Sequence, residues 1–243
     1  MIGLMVQNKI RLFVEQELYN GNSLVVSKKE ANYLFNVMRL KVGDHLHIFN
    51  NNNGEWLSKV TEKSKTTGSL ECLNKIADSQ KPPDVWLLFS PIKKSRTDFI
   101  VEKATEMGVA KIMPILTDHT NTTRISKDRL QLHAIEAAEQ CGTNFVPEVV
   151  DLKKLSDVLD LWSKDRMIMF CDEAKKGSTE ILKNSKNSWA ILIGPEGGFT
   201  DHERIRLSSK KFVQNVSLGP RILRADTAVV AALTLWQSSI GDW

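Results

Sequence analysis

The chain has 243 residues, of which 42% are hydrophobic and 26% are charged, and its formal net charge is +4. This length suits two modest domains with hydrophobic cores, and the composition excludes a disordered or low-complexity protein. The slight basic excess is not gathered in a tail, so a nucleic-acid partner has to be bound by local clusters of lysine and arginine.

The three cysteines, Cys72, Cys141 and Cys171, are widely spaced and odd in number. This pattern predicts free thiols rather than a disulfide framework or a zinc site. No apolar run has the length of a membrane span, and the start of the chain lacks the pattern of a signal peptide. We therefore expect a cytoplasmic protein without a metal ion or a membrane contact.

The first part of the chain predicts short strands separated by turns. The strands are expected at Arg11–Val14, Ser23–Val26, Asp44–Phe49 and Glu55–Glu62. Asn50–Gly54 has the residues of a turn, and apolar spacing within Lys28–Leu40 predicts one short helix. These elements predict a small, mostly β domain over residues 1–76, followed by a proline-containing linker over residues 77–84.

From Val85 onward, apolar runs alternate with amphipathic segments, which predicts a second domain over residues 85–243. The predicted strands are Val85–Pro91, Val109–Leu116, Met167–Cys171, Trp189–Ile193 and Val216–Leu218. Helices are predicted at Ser95–Met107, Ser126–Cys141 and Ala225–Ser239, and Thr200 with Glu203 forms a capping box that opens another helix. Strands that alternate with helices indicate a parallel sheet covered on both faces.

Two loops of this second domain are candidates for ligand binding, because ligands of open α/β sheets bind beyond the carboxyl ends of the strands. The first is IGPEGGFT, Ile193–Thr200, whose glycines allow a close approach of the backbone to a ligand. The second is LGPRILRADTA, Leu218–Ala228, which also leads from a predicted strand into a helix. Neither loop matches a phosphate-binding loop or a dinucleotide fingerprint, and each alone is also compatible with a simple tight turn.

In this order and position, the two loops resemble the signature of the knotted (SPOUT) methyltransferases that modify N3 of a uridine in small-subunit ribosomal RNA. Further segments agree with the same family: RLFVEQEL and VMRLKVGDHLHIFN near the start, KKSRTDFIVEKATEMGVAKIMPIL in the middle, and AIEAAEQCG after it. The resemblance covers nearly the whole chain and is weakest over residues 63–81 and 151–164.

The resemblance implies an α/β fold in which a PUA-like barrel domain precedes a parallel-sheet SPOUT domain with a deep trefoil knot. It also implies S-adenosylmethionine as the cofactor, ribosomal RNA or the small ribosomal subunit as the partner, and a homodimer. Four positions depart from the family pattern. Asp226 stands where glutamate is common, Thr143 and His119 where arginine is usual, and Asn32 where histidine is frequent. Because Asp226 keeps the negative charge, the implied activity is retained.

The same loops supply the candidate site residues. We expect the methyl donor to be held by Leu116, Ile193, Gly194, Pro195, Glu196, Gly197, Gly198, Leu218, Gly219, Ile222, Leu223, Arg224, Thr227 and Ala228. Arg224 or Arg96 is the candidate for stabilising negative charge on the uracil carbonyls. Glu196 or Asp226 is the candidate proton acceptor, and the alternative is that both carboxylates only orient the backbone and an arginine.

Basic clusters are the candidate RNA contacts, although each also fits a solvated helix face. They comprise Lys28, Lys29, Arg39 and Lys41 in the first domain, Lys93, Lys94 and Arg96 in the second, and a further group of Arg204, Arg206, Lys210 and Lys211. His45 and His47 share one side of a strand, and we expect solvated histidines rather than a metal pair there.

Two other functions compete with methylation of ribosomal RNA. One is a non-catalytic RNA-binding or ribosome-assembly protein, which would have no need of two glycine loops. The other is a knotted methyltransferase that acts on transfer RNA, which the N-terminal domain and the full set of segments make the weaker choice. A measurement of methyl-donor binding distinguishes the enzyme from a non-catalytic RNA-binding protein. The identity of the methylated RNA distinguishes an enzyme acting on ribosomal RNA from one acting on transfer RNA.

Overall fold

The computed structural model describes residues 10–172 and 188–243 of the chain. None of the helices within these ranges combines the length and the hydropathy of a membrane span. The described residues divide into two compact units. One comprises residues up to Lys81 together with Ala138–Val146, and the other comprises those within Pro82–Ala137 and Pro147–Trp243.

The N-terminal unit contains a five-stranded sheet in the order β1-β3-β4-β5-β2. Its strands are β1 Arg11–Phe13, β2 Ser23–Val26, β3 His45–Asn50, β4 Gly54–Lys63 and β5 Gly68–Ala77. β1 and β3 pair in parallel, and the other pairs are antiparallel. The fully buried side chains of Leu34, Ile48, Val60 and Leu70 lie in its core.

The turn between β3 and β4 needs glycine at its end. Gly54 has φ +79°, and a Cβ atom there would lie 2.1 Å from the carbonyl oxygen of Ala77. Asn50 supports the same turn, since its side-chain oxygen accepts hydrogen bonds from the amides of Asn52 and Asn53. The turn and the four strands predicted for this region are present, each to within two residues at its ends. Strand β5 was not predicted.

The helix predicted at Lys28–Leu40 is shorter and less regular than expected. It consists of α1, Lys28–Asn32, which continues into a π-helical turn, Tyr33–Val37. Ser27 and Glu30 form a capping box at the start of α1. Beyond the helix, Arg39 has φ +60°, a conformation that a non-glycine residue rarely adopts, and the chain leaves the helical path there.

The C-terminal unit contains a seven-stranded sheet, within the described part of the chain, in which the strands follow the order β12-β10-β11-β6-β7-β8 and β9 pairs with β7. All its pairs are parallel. The strands are β6 Val85–Phe89, β7 Lys111–Leu116, β8 Glu148–Val149, β9 Lys153–Lys154, β10 Arg166–Cys171, β11 Ser188–Ile193 and β12 Val213–Asn215.

Both faces of this sheet are covered, as the sequence predicts. The five side chains of Trp189–Ile193 in β11 are each no more than 2% exposed, and consecutive side chains on a strand point to opposite faces. The helices are α2 Lys94–Glu106, α3 Lys127–Cys141, α4 Leu155–Asp160, α5 Asp201–Ser208 and α6 Ala225–Ile240. Of these, α4 was not predicted.

Glycines end the first two long helices of this region, as expected. Gly108 after α2 and Gly142 after α3 have φ +73° and +87°. α6 packs against α2 and β11. The buried amide of Gln237 donates a 2.6 Å hydrogen bond to the carbonyl of Met107, at the end of α2.

The last predicted strand was misplaced. The strand is Val213–Asn215, whereas Val216–Leu218 lies outside the ladder. Val213 is the buried residue that pairs with Ile168 of β10. The amide of Val216 still donates to the carbonyl of Phe170 at 3.0 Å, but the chain then leaves the sheet ahead of the Gly219–Pro220 bend. The predicted segment Val216–Leu218 therefore begins where the strand pairing ends, and the strand itself lies just before it.

Candidate active site

Three neighbouring strands, β7, β6 and β11, end at the same edge of the parallel sheet. The segments that follow them are held together by polar contacts of Ser90. Its amide donates to the carbonyl of Ile193 at 3.1 Å, and its hydroxyl lies 3.4 Å from that of Thr117. Since ligands of such sheets bind beyond this edge, the loops after these strands frame the candidate site.

The glycine loop, Gly194–Thr200, approaches its neighbours closely at two positions. A Cβ atom on Gly194 would lie 2.6 Å from the ring of Phe199, and one on Gly197 would lie 3.2 Å from Cβ of His119. Gly198 has φ +64°, and its amide donates to the carbonyl of Pro195 at 2.9 Å. The glycines are thus required by packing as well as by backbone conformation.

The segment after β7 contacts this glycine loop directly. Nδ1 of His119 lies 2.8 Å from the carbonyl oxygen of Gly197. A carbonyl oxygen only accepts, so Nδ1 carries a proton in this contact and Nε2 is the acceptor nitrogen of the neutral ring. The arginine expected here from the family pattern is therefore replaced by a side chain that bonds to the glycine loop.

Three of the four predicted catalytic residues meet at this edge, in what we call the Arg96 cluster. Arg96, in the first turn of α2, lies 3.8 Å from Glu196 of the glycine loop and 3.7 Å from Asp226 at the start of α6. The three side chains are 32%, 47% and 19% exposed. Both distances exceed that of an N–H···O hydrogen bond, so the guanidinium can still donate to a ligand.

Arg224, the fourth predicted catalytic residue, is placed differently. It is the N-cap residue of α6, its carbonyl accepts a 2.7 Å hydrogen bond from the amide of Ala228, and its side chain is exposed. Among the described residues, no ion pair joins Arg224 to the Arg96 cluster.

The second loop, Leu218–Ala228, presents an open surface. Gly219 has φ +109°, a Cβ atom added there would meet none of the described atoms within 4 Å, and Ile222 is 81% exposed. Leu218 and Leu223 are half-buried, as are Ala228 and, at the end of β7, Leu116, whereas Thr227 is exposed. Of the remaining residues predicted to hold the methyl donor, Ile193 is buried at the end of β11 and Pro195 is buried within the glycine loop. The residues predicted to hold the methyl donor thus include buried residues that support the loops and accessible apolar side chains.

The predicted RNA-contacting residues differ in how free their charges are. Lys28, Lys29, Arg39 and Lys41 are exposed in the N-terminal unit, and Lys93 and Lys94 are exposed in the C-terminal unit. In the further group, Arg204 forms an ion pair with buried Asp172 at 2.8 Å, and Arg206 pairs with Asp160 at 2.6 Å. These two arginines serve the packing of α5, so the further group is a weaker candidate for RNA contact.

The interpretation of His47 as a solvated histidine is wrong. Its Nδ1 lies 2.5 Å from Oε1 of Glu55, and its side chain is only 12% exposed, whereas His45 is exposed. Within the described ranges, no group of three or more His, Cys, Asp or Glu side chains is placed to hold a metal ion.

Sequence reasoning missed the polar residues that connect the loops. Glu203 accepts a 3.0 Å hydrogen bond from the amide of Asp118, and the side chain of Asp118 lies 2.9 Å from the hydroxyl of Thr200. The T-x-x-E pattern predicted the start of α5, but it carries no information on a partner 85 residues away.

Comparisons with known proteins agree with this arrangement. The family model for an RNA methyltransferase domain matches residues 79–237, and that for an RNA methyltransferase PUA domain matches residues 26–71. A relative from Buchnera aphidicola subsp. Schizaphis graminum, named ribosomal RNA small subunit methyltransferase E, is 31% identical and aligns over 96% of this chain and 97% of its own. One of the same name from Rickettsia conorii is 29% identical over 92% and 93% of the two chains.

Solved structures agree in fold. A methyltransferase of Legionella pneumophila, solved in complex with bound S-adenosylmethionine, has a TM-score of 0.87 and 27% identity, and the alignment covers 97% of this chain and 99% of that one. The ribosomal RNA small subunit methyltransferase E of Neisseria gonorrhoeae has a TM-score of 0.88 at 24% identity over 97% and 99% of the two chains.

The fold, the glycine loops and the matched domains define an RNA methyltransferase with a PUA-like N-terminal domain and a SPOUT-class catalytic domain. Within that class, the chain belongs to the ribosomal RNA small subunit methyltransferase E family. The predicted family is thereby confirmed, as is the α/β fold with a PUA-like domain ahead of a parallel-sheet SPOUT-class domain, whereas the trefoil knot stays a prediction.

Proposed function

We propose that this protein transfers a methyl group from S-adenosylmethionine to N3 of a specific uridine in 16S ribosomal RNA. The observation that carries the proposal is the Arg96 cluster, which brings a guanidinium and two carboxylates to the rim of the glycine loop. The relatives named ribosomal RNA small subunit methyltransferase E align with the chain over nearly its full length, and the Legionella pneumophila structure holds S-adenosylmethionine.

The residues at the sheet edge fit a folded nucleoside donor. Gly194 leaves no room for a side chain and Gly197 leaves little, so backbone rather than side chains would line that wall, and Ile222 offers an accessible apolar surface from the second loop. When bound, S-adenosylmethionine supplies the electrophilic methyl carbon. The two loops would hold it in place with backbone groups, together with Leu116 and Leu223.

The protein's own charged groups would prepare the acceptor. Uracil N3 carries a proton, and its loss places negative charge on the neighbouring carbonyl oxygens. Arg96, whose contacts with Glu196 and Asp226 are longer than hydrogen bonds, is positioned to donate to such an oxygen. One of these carboxylates would accept the proton. Exposed Arg224 would approach from the second loop.

The other parts of the proposal concern RNA, assembly and topology. We propose that residues 1–76 form the RNA-binding domain, with its exposed cluster of Lys28, Lys29, Arg39 and Lys41, and that Lys93 and Lys94 extend the contact. Residues 77–84 would be the linker, and residues 85–243 the catalytic domain with a deep trefoil knot. The enzyme would act as a homodimer in the cytoplasm, where ribosomal subunits are assembled.

The test is mass-spectrometric mapping of modified uridines in RNA from cells with and without the gene. We expect the loss of one N3-methyluridine from 16S ribosomal RNA and its return with the purified enzyme and donor. A modification lost from transfer RNA instead would establish the tRNA alternative. Calorimetry that shows no binding of donor or demethylated product would favour a non-catalytic RNA-binding protein.

A further inference from the structure

Glu203 is a buried carboxylate that joins two loops of the site. The residue is 8% exposed and lies in the first turn of α5. Its Oε2 accepts a hydrogen bond from the amide of Thr200 at 2.9 Å, and its Oε1 accepts one from the amide of Asp118 at 3.0 Å. One carboxylate therefore binds both the end of the glycine loop and the segment after β7.

A side-chain contact closes the same connection. Oγ1 of Thr200 lies 2.9 Å from Oδ2 of Asp118, and it also accepts from the amide of Glu203 at 3.3 Å. Because a carboxylate only accepts, the hydroxyl of Thr200 is the donor in its contact with Asp118, and Oε2 of Glu203 lies 3.2 Å from the same hydroxyl as a second acceptor. The next residue after Asp118 is His119, whose Nδ1 contacts the carbonyl of Gly197 at 2.8 Å. The two segments are thus joined at the middle of the glycine loop and at its end.

The capping box of α1 shows that capping alone does not require this connection. Oε2 of Glu30 accepts from the amide of Ser27 at 2.6 Å, and the amide of Glu30 donates to the Ser27 hydroxyl at 3.3 Å. Both bonds lie within residues 27–30 and are exposed. Glu203 makes the equivalent bonds to Thr200 and adds a long-range one to Asp118, at the cost of burying a carboxylate.

We propose that Glu203 is a positioning residue for the methyl-donor site. Its two oxygens hold the segment after β7 against the glycine loop, so that His119 contacts Gly197 and the loop has one conformation before the donor arrives. This inference rests on the proposed function, because it assigns the donor to the glycine loop.

The test compares Glu203→Gln with the matched control Glu30→Gln, using calorimetry with S-adenosylmethionine and its demethylated product. Both variants weaken a capping box. Only Glu203→Gln puts an amide NH2 against a backbone N–H, because both oxygens of Glu203 accept from backbone amides, those of Thr200 and Asp118. The loss of either bond loosens the connection between the two loops, which should reduce donor affinity by about 10- to 100-fold. The KM for the donor should rise accordingly, while the KM for RNA stays the same. Glu30→Gln should bind the donor as the wild type does.

Equal donor affinity of Glu203→Gln and wild type would overturn the inference while leaving the proposed function intact. Absence of donor binding by the wild-type protein would instead remove the proposed function, and the inference with it. If Glu203→Gln does not fold, Glu203→Asp replaces it, because it keeps the charge at the helix start but is one methylene too short to reach both amides. Reduced donor affinity of Glu203→Asp supports the inference, and wild-type affinity contradicts it.

Discussion

Each of the two units contains an arginine beside at least one carboxylate, and the two arginines are bound very differently. Arg11, in the N-terminal unit, donates to both oxygens of Glu55 at 3.2 and 2.9 Å and to the carbonyls of Ala138 and Thr143. Its guanidinium also lies 4.3 Å from the ring centre of Phe49. Arg96 has two acidic neighbours, but neither is within hydrogen-bond distance.

The two arginines differ in how deeply they are buried and in whether their N–H groups are bound to protein acceptors. The side chain of Arg11 is 8% exposed and its donors are bound to protein acceptors, so it fixes β1 and β4 to the end of α3. The side chain of Arg96 is 32% exposed and lies at a sheet edge where ligands bind. A guanidinium whose N–H donors are all bound to protein acceptors stabilises the fold. One with N–H donors still available, beside a glycine loop, can bind a substrate. The same substitution at both positions tests this difference.

Arg11→Met should have the largest effect on stability. Removal of Arg11 leaves the 13% exposed side chain of Glu55 without its main counter-charge and takes one hydrogen-bond donor from each of the carbonyls of Ala138 and Thr143, which together costs about 3–5 kcal/mol. Urea unfolding, with hydrogen exchange of the β3 and β4 amides as the local probe, measures the loss. Unchanged exchange in these strands would contradict the structural role of Arg11.

Arg96→Met should have the opposite profile. We expect turnover to fall by about 100-fold, because an oxyanion-stabilising donor is lost, with little change in the melting temperature. Steady-state methylation kinetics and thermal unfolding measure the two effects. Arg224→Ala, made in parallel, shows whether the exposed arginine of the second loop shares the role. Full activity of Arg96→Met would assign that role to another donor.

Local sequence patterns could not predict the contacts of these two arginines, because their partners are far away along the chain. The glycine loops, the start of α5 and the ends of α2 and α3 follow from local patterns, and the structure confirms them. Arg96 lies 100 residues from Glu196 and 130 from Asp226, so local pattern contains no sign of the cluster. Its three members were predicted separately as catalytic candidates, because they lie in segments that resemble the family.

Contacts without such a resemblance were missed. The bonds of Arg11 to Glu55 and Ala138 span 44 and 127 residues, and the apolar strand residues around them gave no reason to expect a buried ion pair. Strand β5 was missed although Gly68, Leu70 and Cys72 are buried in alternation, because its second half, Leu73–Ala77, does not continue an alternation of apolar and polar residues. Its pairing with β2 and β4 provides the partners that its composition does not indicate.

Substitutions of Gly197 test whether the glycine loop beside the Arg96 cluster forms a wall of the methyl-donor site. A Cβ atom at this position would lie 3.2 Å from Cβ of His119, so Gly197→Ala requires a small shift and Gly197→Val a larger one. We expect donor affinity to fall stepwise, reaching about 10-fold or more for valine, since the side chain displaces backbone from the donor wall. Calorimetry with the demethylated product gives the series. Equal affinities for all three proteins would place the donor elsewhere.

The smallest expected effect is the acid sensitivity of the Arg11 network. Burial by itself would raise the pKa of Glu55, but hydrogen bonds from Arg11 and His47 outweigh it, and the pKa lies below its usual value of 4.5. A carboxyl group with a lowered folded-state pKa stabilises the protein above its unfolded-state pKa, and that stabilisation is lost as the pH falls through the folded-state value. Protection of the β3 and β4 amides should therefore decline below about pH 4.5 in the wild type.

In Glu55→Gln this acid-dependent decline should be smaller, because the glutamine does not titrate. Glu148→Gln is the control, since the 61% exposed side chain of Glu148 pairs with Lys111 at the surface, and it should follow the wild-type curve. Identical acid profiles for Glu55→Gln and wild type would show that Arg11 stabilises this unit through the carbonyls of Ala138 and Thr143 rather than through Glu55.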